Sequence, residues 1–553
     1  MAQTADLKTP GNPAKKEKAS AWAPFGYKSF AVLWTATVIS NTGTWMHDVG
    51  AGWLMTDLAP SPAMVAAVQA ANTLPVFLFA LFAGAIADIV DRRWMLISVN
   101  AFLAVTATAL AILVGLNAMT PLLLLVFTFA MGTGAAFMAP AWQAIVPSLV
   151  DRKDLSSAVA LNSMGINVSR AIGPAIAGFL IVAAGLVYPF LINAISIVTI
   201  IFALLWWTPP PKKTATLPPE HVPSAIWSGL RYAWYSAPLR STIVRAAAFF
   251  IFASAYWAML PLIAKNMPNG GAGLYGILLT SVGAGAVIGA LLLPQIRGVL
   301  GTNGSVILGS IGTAVTLSVF ALVQNPIAAA GASGLAGLCW IAVLSSLNVS
   351  AQTSLPDWVR ARGLSIFLTV FFGSMSIGSV IWGQVATQLS IDTALLVAAA
   401  GLLLFIPLTL AAKLGQGESM DLRASAHWSE PVLAEGVEDT GGPVMIQIRY
   451  LVAGGHHQDF LDAINALSKA RRRAGAFSWS IMQDAEHASI FVETWFEASW
   501  TQHIRHHDRV TEEDMKLKDA VNVFLNTDEP PIVSHFVTGS ANTPPPTLTN
   551  EAL

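Results

Sequence analysis

Twelve apolar stretches alternate with short polar connections over the first 412 residues. They lie at approximately 28–46, 63–87, 94–115, 120–146, 156–184, 187–207, 241–264, 273–296, 303–324, 326–350, 361–388 and 391–412. Each is long enough for the roughly 20 residues a helix needs to cross a hydrocarbon core. A backbone in lipid has to satisfy its own hydrogen bonds, so the stretches are predicted to be membrane-spanning helices. The connections alternate in charge. Lys15, Lys16, Lys18, Lys28, Arg92, Arg93, Arg152, Lys153, Lys212, Lys213, Arg297, Arg360, Arg362 and Lys413 fall on one side. The opposite connections, 47–62, 116–119, 185–186, 325 and 389–390, hold no Lys or Arg, and Lys265 is the one exception. Basic residues mark the cytoplasmic side, so both termini are predicted to be cytoplasmic and the number of spans even. One span more or fewer would break the alternation.

The spans divide six and six. Residues 209–240 interrupt them, opening with Pro209, Pro210 and Pro211, and regain apolar character over 224–237, where a surface helix is expected. An internal repeat supports a duplication: Gln143, Pro147, Val150, Leu155 and Ser156 recur as Gln352, Pro356, Val359, Leu364 and Ser365 at one fixed offset. Gly173 and Gly178 find counterparts in Gly378 and Gly383 at nearly the same offset. The expected organisation is a cytoplasmic tail (1–24), a six-helix half (25–208), a linker (209–240), a second six-helix half (241–413) and a second linker (414–441). A small cytoplasmic domain (442–537) and a final tail (538–553) follow. The tails lack the composition of a packed segment, and residues 1–24 have no apolar core of a cleavable leader. In the domain, Val444, Ile446, Ile448, Tyr450 and Val452 alternate as a half-buried strand, and Phe460, Ile464 and Leu467 share one face of a helix at 459–473. Strands at 476–483 and 489–496, helices at 498–507 and 511–525, and a strand at 532–536 complete a strand–helix–strand–strand–helix–strand order. That order is ferredoxin-like. The fold class is therefore an all-α polytopic membrane protein of 12 transmembrane helices in two pseudo-symmetric halves, with a small α+β domain.

Composition narrows the function. Charged residues make up 11% of the chain and the net charge is −1. A nucleic-acid partner would need a basic face and is excluded. The one cysteine, Cys339, lies in an apolar span, which leaves no disulfide framework or cysteine-based metal site. No Gly-x-x-x-x-Gly-Lys-(Ser/Thr) run accompanies the spans, so nothing points to a self-contained ATP-driven pump or to a cofactor.

The connection between spans two and three reads Gly84-Ala-Ile-Ala-Asp88-Ile-Val-Asp91-Arg92-Arg93. It resembles the loop signature of the major facilitator superfamily, with Ile89 in place of a basic residue and Asp91 in place of a glycine. Together with Asn41-x-Gly43-x-Trp45 and Leu74-Pro75, it resembles the enterobactin-exporter-like branch, also called the transmembrane secretion effector family, over residues 20–415. Span five reads Ser169-Arg170-Ala-Ile-Gly173-Pro174-Ala-Ile-Ala-Gly178 and resembles the antiporter signature of the same superfamily. Small residues there permit close helix contact and Pro174 bends the helix, which ordinary packing also uses. The C-terminal domain resembles the ferredoxin-like fold of antibiotic-biosynthesis monooxygenases, which pair as dimers. The resemblance implies a secondary active exporter of the bacterial cytoplasmic (inner) membrane, with a proton as coupling ion and an amphipathic siderophore, drug or secondary metabolite as cargo. A homodimer through the C-terminal domain is implied too. The alternative is a membrane-tethered enzyme or a sensor acting through that domain.

Candidate residues follow. Gly84, Asp88, Asp91, Arg92 and Arg93, with Arg360 and Arg362 before span eleven, form the expected cytoplasmic gate; the competing role for the arginines is topology alone. Arg170 is deep enough in span five to need a partner or a wet cavity, for an anionic cargo group, for coupling, or for bonds to neighbouring carbonyls. Asp48, beside His47, is either a proton carrier, if a cavity desolvates it, or a wetted residue of the outer loop. Gln69, Asn72 and Asn167 are polar positions on the same pathway, and Asn162, Arg245 and Asn348 are further polar positions within the spans. Trp34, Trp45, Trp53, Trp142 and Trp340 line a pocket or mark interfaces. In the domain, His456, His457, His503, His506, His507, Trp479 and Trp495 invite a metal or catalytic reading. His503 and His507 are one turn apart, but no third ligand is evident, so neither a metal nor a catalytic residue is assigned.

Overall fold

The computed structural model describes residues 21–151, 153–209, 222–425, 442–526 and 530–538. Most of the predicted tails, residues 210–221 of the first linker, most of the second linker, Arg152 and residues 527–529 lie outside these residues. The first half comprises α1 (Lys28–Leu58), α2 (Pro62–Ile89), α3 (Arg92–Gly115), α4 (Pro121–Ile145), α5 (Leu155–Ala183) and α6 (Val187–Trp206). A short α7 (Val222–Tyr235) covers the expected surface helix. The second half comprises α8 (Ala237–Asn266), α9 (Ala272–Leu322), α10 (Pro326–Thr353), α11 (Arg360–Gln388) and α12 (Ile391–Leu408). Among the described residues ten helices, α2–α6 and α8–α12, are long and apolar enough to cross a membrane.

Two differences from the sequence reading have local causes. The stretches expected as spans eight and nine form one 51-residue element, α9, broken at Gly301, where φ is 66° and ψ is −178°. That conformation suits a residue without Cβ, and it falls in the polar stretch behind Arg297. The first helix does not stop at residue 46 but continues to Leu58. Polar His47 and Asp48 end the apolar run, yet His47 is only 1% exposed and packs edge-on against Phe190 of α6, with ring centroids 5.3 Å apart. The packing, not hydropathy, sets the end of α1. Helix starts are sealed locally: Ser61, Thr120 and Asn325 accept hydrogen bonds from Met64, Leu123 and Ala328 backbone N–H groups, and each is followed by a proline. The cap satisfies a free N–H, and proline lacks one to satisfy.

The halves pack through their repeated glycines. Gly173 of α5 lies against Thr42 and Trp45 of α1, and Gly378 of α11 lies against Ile251 and Ser254 of α8. Gly178 of α5 meets Gly276 of α9, and Gly383 of α11 meets Ala63 and Ala66 of α2. A Cβ at Gly178 would come within 3.0 Å of the Gly276 Cα, so this backbone approach excludes larger residues. Each repeated helix thus touches one partner in its own half and one in the other.

The C-terminal part forms an antiparallel sheet of β1 (Val444–Leu451), β2 (Phe477–Gln483), β3 (Ile490–Glu497) and β4 (Ile532–Val537) in the order β2-β3-β1-β4. With α13 (His457–Ala474), α14 (Trp500–Arg509) and α15 (Glu512–Asn522), this is the split arrangement of ferredoxin-like folds. Val444, Ile446, Ile448 and Tyr450 face a core shared with Phe460, Ile464 and Trp495. Two carboxylates are buried in it. Glu493 accepts from Tyr450 Oη (2.7 Å) and Trp479 Nε1 (2.8 Å), with Arg471 3.6 Å away. Glu497 pairs with His503 Nδ1 at 3.0 Å and with His506 Nδ1, and accepts from Trp495 Nε1 at 2.9 Å. The domain rests on the second half: Arg473 lies over Tyr232 and Arg472 over Tyr235 of α7, and Arg509 lies 4.4 Å over Trp358, just before α11.

Burial alone would raise the Glu497 carboxyl, but His506 and His503 outweigh it and hold it below the ordinary carboxylate range. Burial, then His503 and His506, push His507 down from 6.5 to about 4. Both groups bind protons more weakly folded than unfolded, so domain stability falls as the pH falls. The loss begins below about 6.5 through His507 and continues below about 4.5 through Glu497. Thermal melts of residues 436–553 expressed alone should show a Tm that is flat above pH 7 and declines between pH 6.5 and 4. Glu497→Ala strands two buried histidines and should cost about 3 kcal/mol; an unchanged melt would remove the network from the domain's stability.

Candidate functional site

Arg170 is at the middle of α5, half-buried, with its guanidinium 5.5 Å over the ring of Trp45 on α1. Its Nε is buried and has no hydrogen-bond partner among the described residues. Tyr256 of α8, 0% exposed, is within electrostatic reach of Arg170, and its hydroxyl is likewise without a partner. The neighbouring Trp257 Nε1 is near enough to that hydroxyl to act on it, though it too makes no full hydrogen bond among the described residues. Trp257 stands 5.3 Å from Trp340, which packs with Phe249, Phe250 and Phe371. The cationic Arg170 thus lies on one side of Tyr256 and Trp257, and a packed cluster of aromatic rings on the other. Buried donors without acceptors are costly, and this combination suits a ligand with an acidic group on an apolar body. Sequence reading singled out Arg170, Trp45 and Trp340 but not Tyr256 or Trp257; an adjacent Tyr-Trp pair, two hydrogen-bonding rings in a span whose other aromatics are all phenylalanine, is the signal that was there to find.

Asp48 and His47 separate. His47 faces α6, with both ring nitrogens buried and unpartnered among the described residues. Asp48 points toward the second half, near enough to Tyr275 of α9 for their charges to interact, and Gly52 one turn later leaves room for the Tyr275 hydroxyl. Asp48 therefore lies within α1 at the junction of the halves, not in a loop. Gln69 and Asn72 are half-buried on α2, and Asn167 donates to the Ser163 carbonyl of its own helix (2.9 Å). Asn162 accepts from Trp142 Nε1 (3.1 Å). Arg245 is used structurally, bonding the Ala412 carbonyl (3.2 Å) and Asn303 (3.4 Å). Asn348 accepts from Gln352 (2.9 Å). Trp34 donates to the Leu161 carbonyl (2.9 Å), which ties α1 to α5.

The basic end holds the loop motif. Asp91 caps α3, accepting from the Arg93 and Trp94 backbone N–H groups. Arg93 donates to the Leu204 and Leu205 carbonyls at the end of α6 (2.8 and 2.6 Å), and Arg92 Nε to the Ala87 carbonyl (3.4 Å). Gly84 borders open space. The side chain of Asp88 is outside the described residues. Across the bundle, Arg360 pairs with Asp357 (2.7 Å), and Arg362 donates to Ser228 of α7 (2.9 Å).

At the opposite end the halves are fastened. Lys265 of α8, the exception in the charge pattern, donates to Asp57 (2.7 Å) and to the Thr56 carbonyl (2.8 Å) of α1. It also lies 5.7 Å over Trp53, which stacks on Tyr275. The Ala63 N–H donates to Thr387 Oγ1 (2.9 Å), and Ser376 reaches the Ala70 carbonyl (3.5 Å), joining α2 to α11. These bonds lie in the part of the bundle away from Arg92 and Arg93.

In the C-terminal domain His503 and His507 meet edge-on one helical turn apart, with ring centroids 4.6 Å apart, while Glu497 holds His503 and His506. Among the described residues no group of three or more His, Cys, Asp or Glu is placed to hold a metal ion.

Comparison with known proteins gives this arrangement a context. The chain is 26% identical to the staphyloferrin A transporter of Staphylococcus aureus over 345 residues, covering 61% of this chain and 85% of the relative. It is 24% identical to the enterobactin exporter EntS of Escherichia coli over 326 residues, covering 57% and 75%. It is 23% identical to the multidrug efflux pump Tap of Mycolicibacterium fortuitum over 365 residues, covering 64% and 87%. The fold is similar to that of a point mutant of the nucleoside transporter NupG, with a TM-score of 0.56 at 13% identity over 69% of this chain and 99% of that one. A POT family transporter in complex with 5-aminolevulinic acid gives 0.56 at 12% identity, over 69% and 96%. The three sequence relatives are named as a transporter, an exporter and an efflux pump. The profile of one family, the transmembrane secretion effectors, matches residues 19–544, and the chain belongs to that family: a multi-pass membrane transporter of the major facilitator type.

Proposed function

We propose that the chain exports an amphipathic organic anion, siderophore-like in character, in exchange for protons across a bacterial cytoplasmic membrane. Twelve spans carry it, in halves at 25–208 and 241–413, with both termini and the domain at 442–537 in the cytoplasm. The carrying observation is the Arg170 guanidinium over Trp45, with its buried Nε open, beside the open Tyr256 hydroxyl at the middle of the bundle. Transporters of this architecture bind cargo near the midplane and alternate access by rocking one half against the other. The Lys265–Asp57 clasp and the Ala63–Thr387 bond support a state closed on the outside. Asp48 at the junction of the halves is the proposed proton carrier, with Gln69, Asn72 and Asn167 along the pathway. In the proposed cycle Gly84, Asp88, Asp91, Arg92 and Arg93 close against Arg360 and Arg362 when the outer side opens, and Gly173, Pro174 and Gly178 form the bend on which the halves turn. The names of the relatives, which include transporters of staphyloferrin A and enterobactin, support the cargo class. The open face of the domain's sheet aligns Phe536, Met445, Phe496 and Phe477 in one row, which supports pairing of two copies.

Three outcomes are expected from transport into inverted vesicles with an imposed proton gradient. Arg170→Ala should weaken uptake of an acidic siderophore roughly 10- to 100-fold, the range expected for a lost charge-assisted hydrogen bond. Arg170→Lys should rescue it in part, since a point charge replaces a planar fork. Normal uptake by both variants would return Arg170 to a packing role. Asp48→Asn should permit cargo exchange but abolish the response to the gradient; a retained response would move coupling elsewhere. Lys265→Ala should raise labelling of cysteines placed on the outer halves of α1 and α8 by about fivefold, the upper end of what an exposed ion pair is worth at ~1 kcal/mol. The charge swap Lys265→Asp with Asp57→Lys should reverse that rise. Equal labelling in all three forms would show that the clasp does not set the closed state.

A further inference from the structure

Among the described residues five tryptophans are strongly exposed: Trp22 (60%), Trp94 (57%), Trp206 (55%), Trp227 (65%) and Trp234 (71%). All five stand at the basic end. Trp22 precedes α1, Trp94 is in the first turn of α3, Trp206 closes α6, and the last two are on α7. Tryptophan collects where membrane meets water, because its ring is apolar and its N–H is polar. The five therefore trace one interfacial level, and α7 is within it.

The shape of α7 adds a second observation. At about 100° per residue, Trp227, Leu230 and Trp234 fall within roughly 60° of one another. Their stripe is exposed, with Leu230 at 43%. The opposite face, Ser228, Gly229, Tyr232 and Ala233, is buried. Ser228 accepts from Arg362, a Cβ on Gly229 would be 3.0 Å from the Arg362 Cβ, and Tyr232 donates to the Ser354 carbonyl (3.1 Å). The helix thus packs its small and polar face on the second half and presents its most apolar stripe outward. Only Ser236 separates it from α8, and Arg240 at the start of α8 donates to the Trp234 carbonyl (3.4 Å). The stripe is exposed, adjoins a membrane helix and is flanked by Arg231 and Arg240, the pattern of helices that lie in the headgroup layer.

We propose that α7 is an interfacial helix whose Trp227–Leu230–Trp234 stripe is inserted into the headgroup layer of the bilayer at the basic end. Its partners are then lipid on one face, the start of α11 on the other, and Arg472 and Arg473 of the C-terminal domain between them. Bilayer contact fixes the helix that holds Arg362 and carries the domain. The inference rests on the multi-pass membrane assignment and not on the proposed cargo.

The chain has a single cysteine, so Cys339→Ala gives a background for site labelling. Leu230→Cys, which keeps both tryptophans, Trp227→Cys and Trp234→Cys are each labelled with an environment-sensitive fluorophore in full-length protein in nanodiscs. Asn465→Cys on the exposed side of α13 serves as the aqueous control. Lipids bearing a nitroxide on the headgroup should quench the three α7 labels at least twofold more than the control, and aqueous iodide should do the reverse. Labels at 227, 230 and 234 that behave like 465 would overturn the proposal. So would labels shielded from iodide but insensitive to nitroxide lipids, which would assign the stripe to a second protein copy.

Discussion

The expense of a polar group in hydrocarbon shapes the whole molecule. It forces the chain into helices that satisfy their own backbones, and it restricts charges to positions where something answers them. Arg93 is answered by the free carbonyls at the end of α6, Arg245 by Ala412 and Asn303, and Lys265 by Asp57 and Thr56. These residues differ in position but share one logic: each charge is joined to another helix, so the cost of carrying it is recovered as a fixed contact between helices. Arg170 is treated differently. It has a ring beneath it and, among the described residues, no acceptor for its Nε, and the Tyr256 hydroxyl near it is also without a full hydrogen bond there. A cation with an open Nε, seated on a ring at the middle of α5, is what distinguishes the proposed cargo site from the other charges of the bundle.

Duplication explains how such a bundle can move. The repeated glycines bring α5 against α1 and α9, and α11 against α8 and α2. Each of these helices thus belongs to both halves at once, by contacts that depend on small side chains rather than interlocking ones. Surfaces of that kind slide or tilt without breaking large packed clusters. The stronger polar fastening, between Lys265 and Asp57, lies at one end, where a half-exposed ion pair holds weakly enough to open.

The C-terminal domain obeys a different economy. Water surrounds it, so it is held by an apolar core and by two buried carboxylates matched to arginine, histidine, tyrosine and tryptophan. Its link to the membrane part is made of cations on aromatic rings: Arg473 on Tyr232, Arg472 on Tyr235, Arg509 on Trp358. Tyr232 and Trp358 also touch each other, with ring centroids 5.8 Å apart. The domain therefore grips α7 and the approach to α11 as one unit, on the half that carries Arg360 and Arg362.

Much of this was legible in the residues. Runs of apolar positions located the long helices, because length and hydropathy alone decide what can lie in lipid. Alternation at Val444, Ile446 and Ile448 located the first strand, because the pleat has a period of two. The loop and span-five motifs led to the family, and charge counting singled out Lys265 as anomalous. What the sequence could not supply was anything that depends on a neighbour distant along the chain. Asp48 was open to two readings, a proton carrier or a wetted loop residue, because a carboxylate ends an apolar run; α1 in fact stays helical through it to Leu58. His503 and His507 are the pair that helical spacing suggests, with ring centroids 4.6 Å apart, but spacing gave no sign that Glu497, on the preceding strand, holds His503 and His506. Hydropathy and period are local properties that each segment carries with it, and they determined the helices, the strands and the two kinds of solvent around them. The partner of a charge is set by which segments the fold brings together, and only the tertiary structure decided that Lys265 meets Asp57 while the Nε of Arg170 meets no acceptor among the described residues.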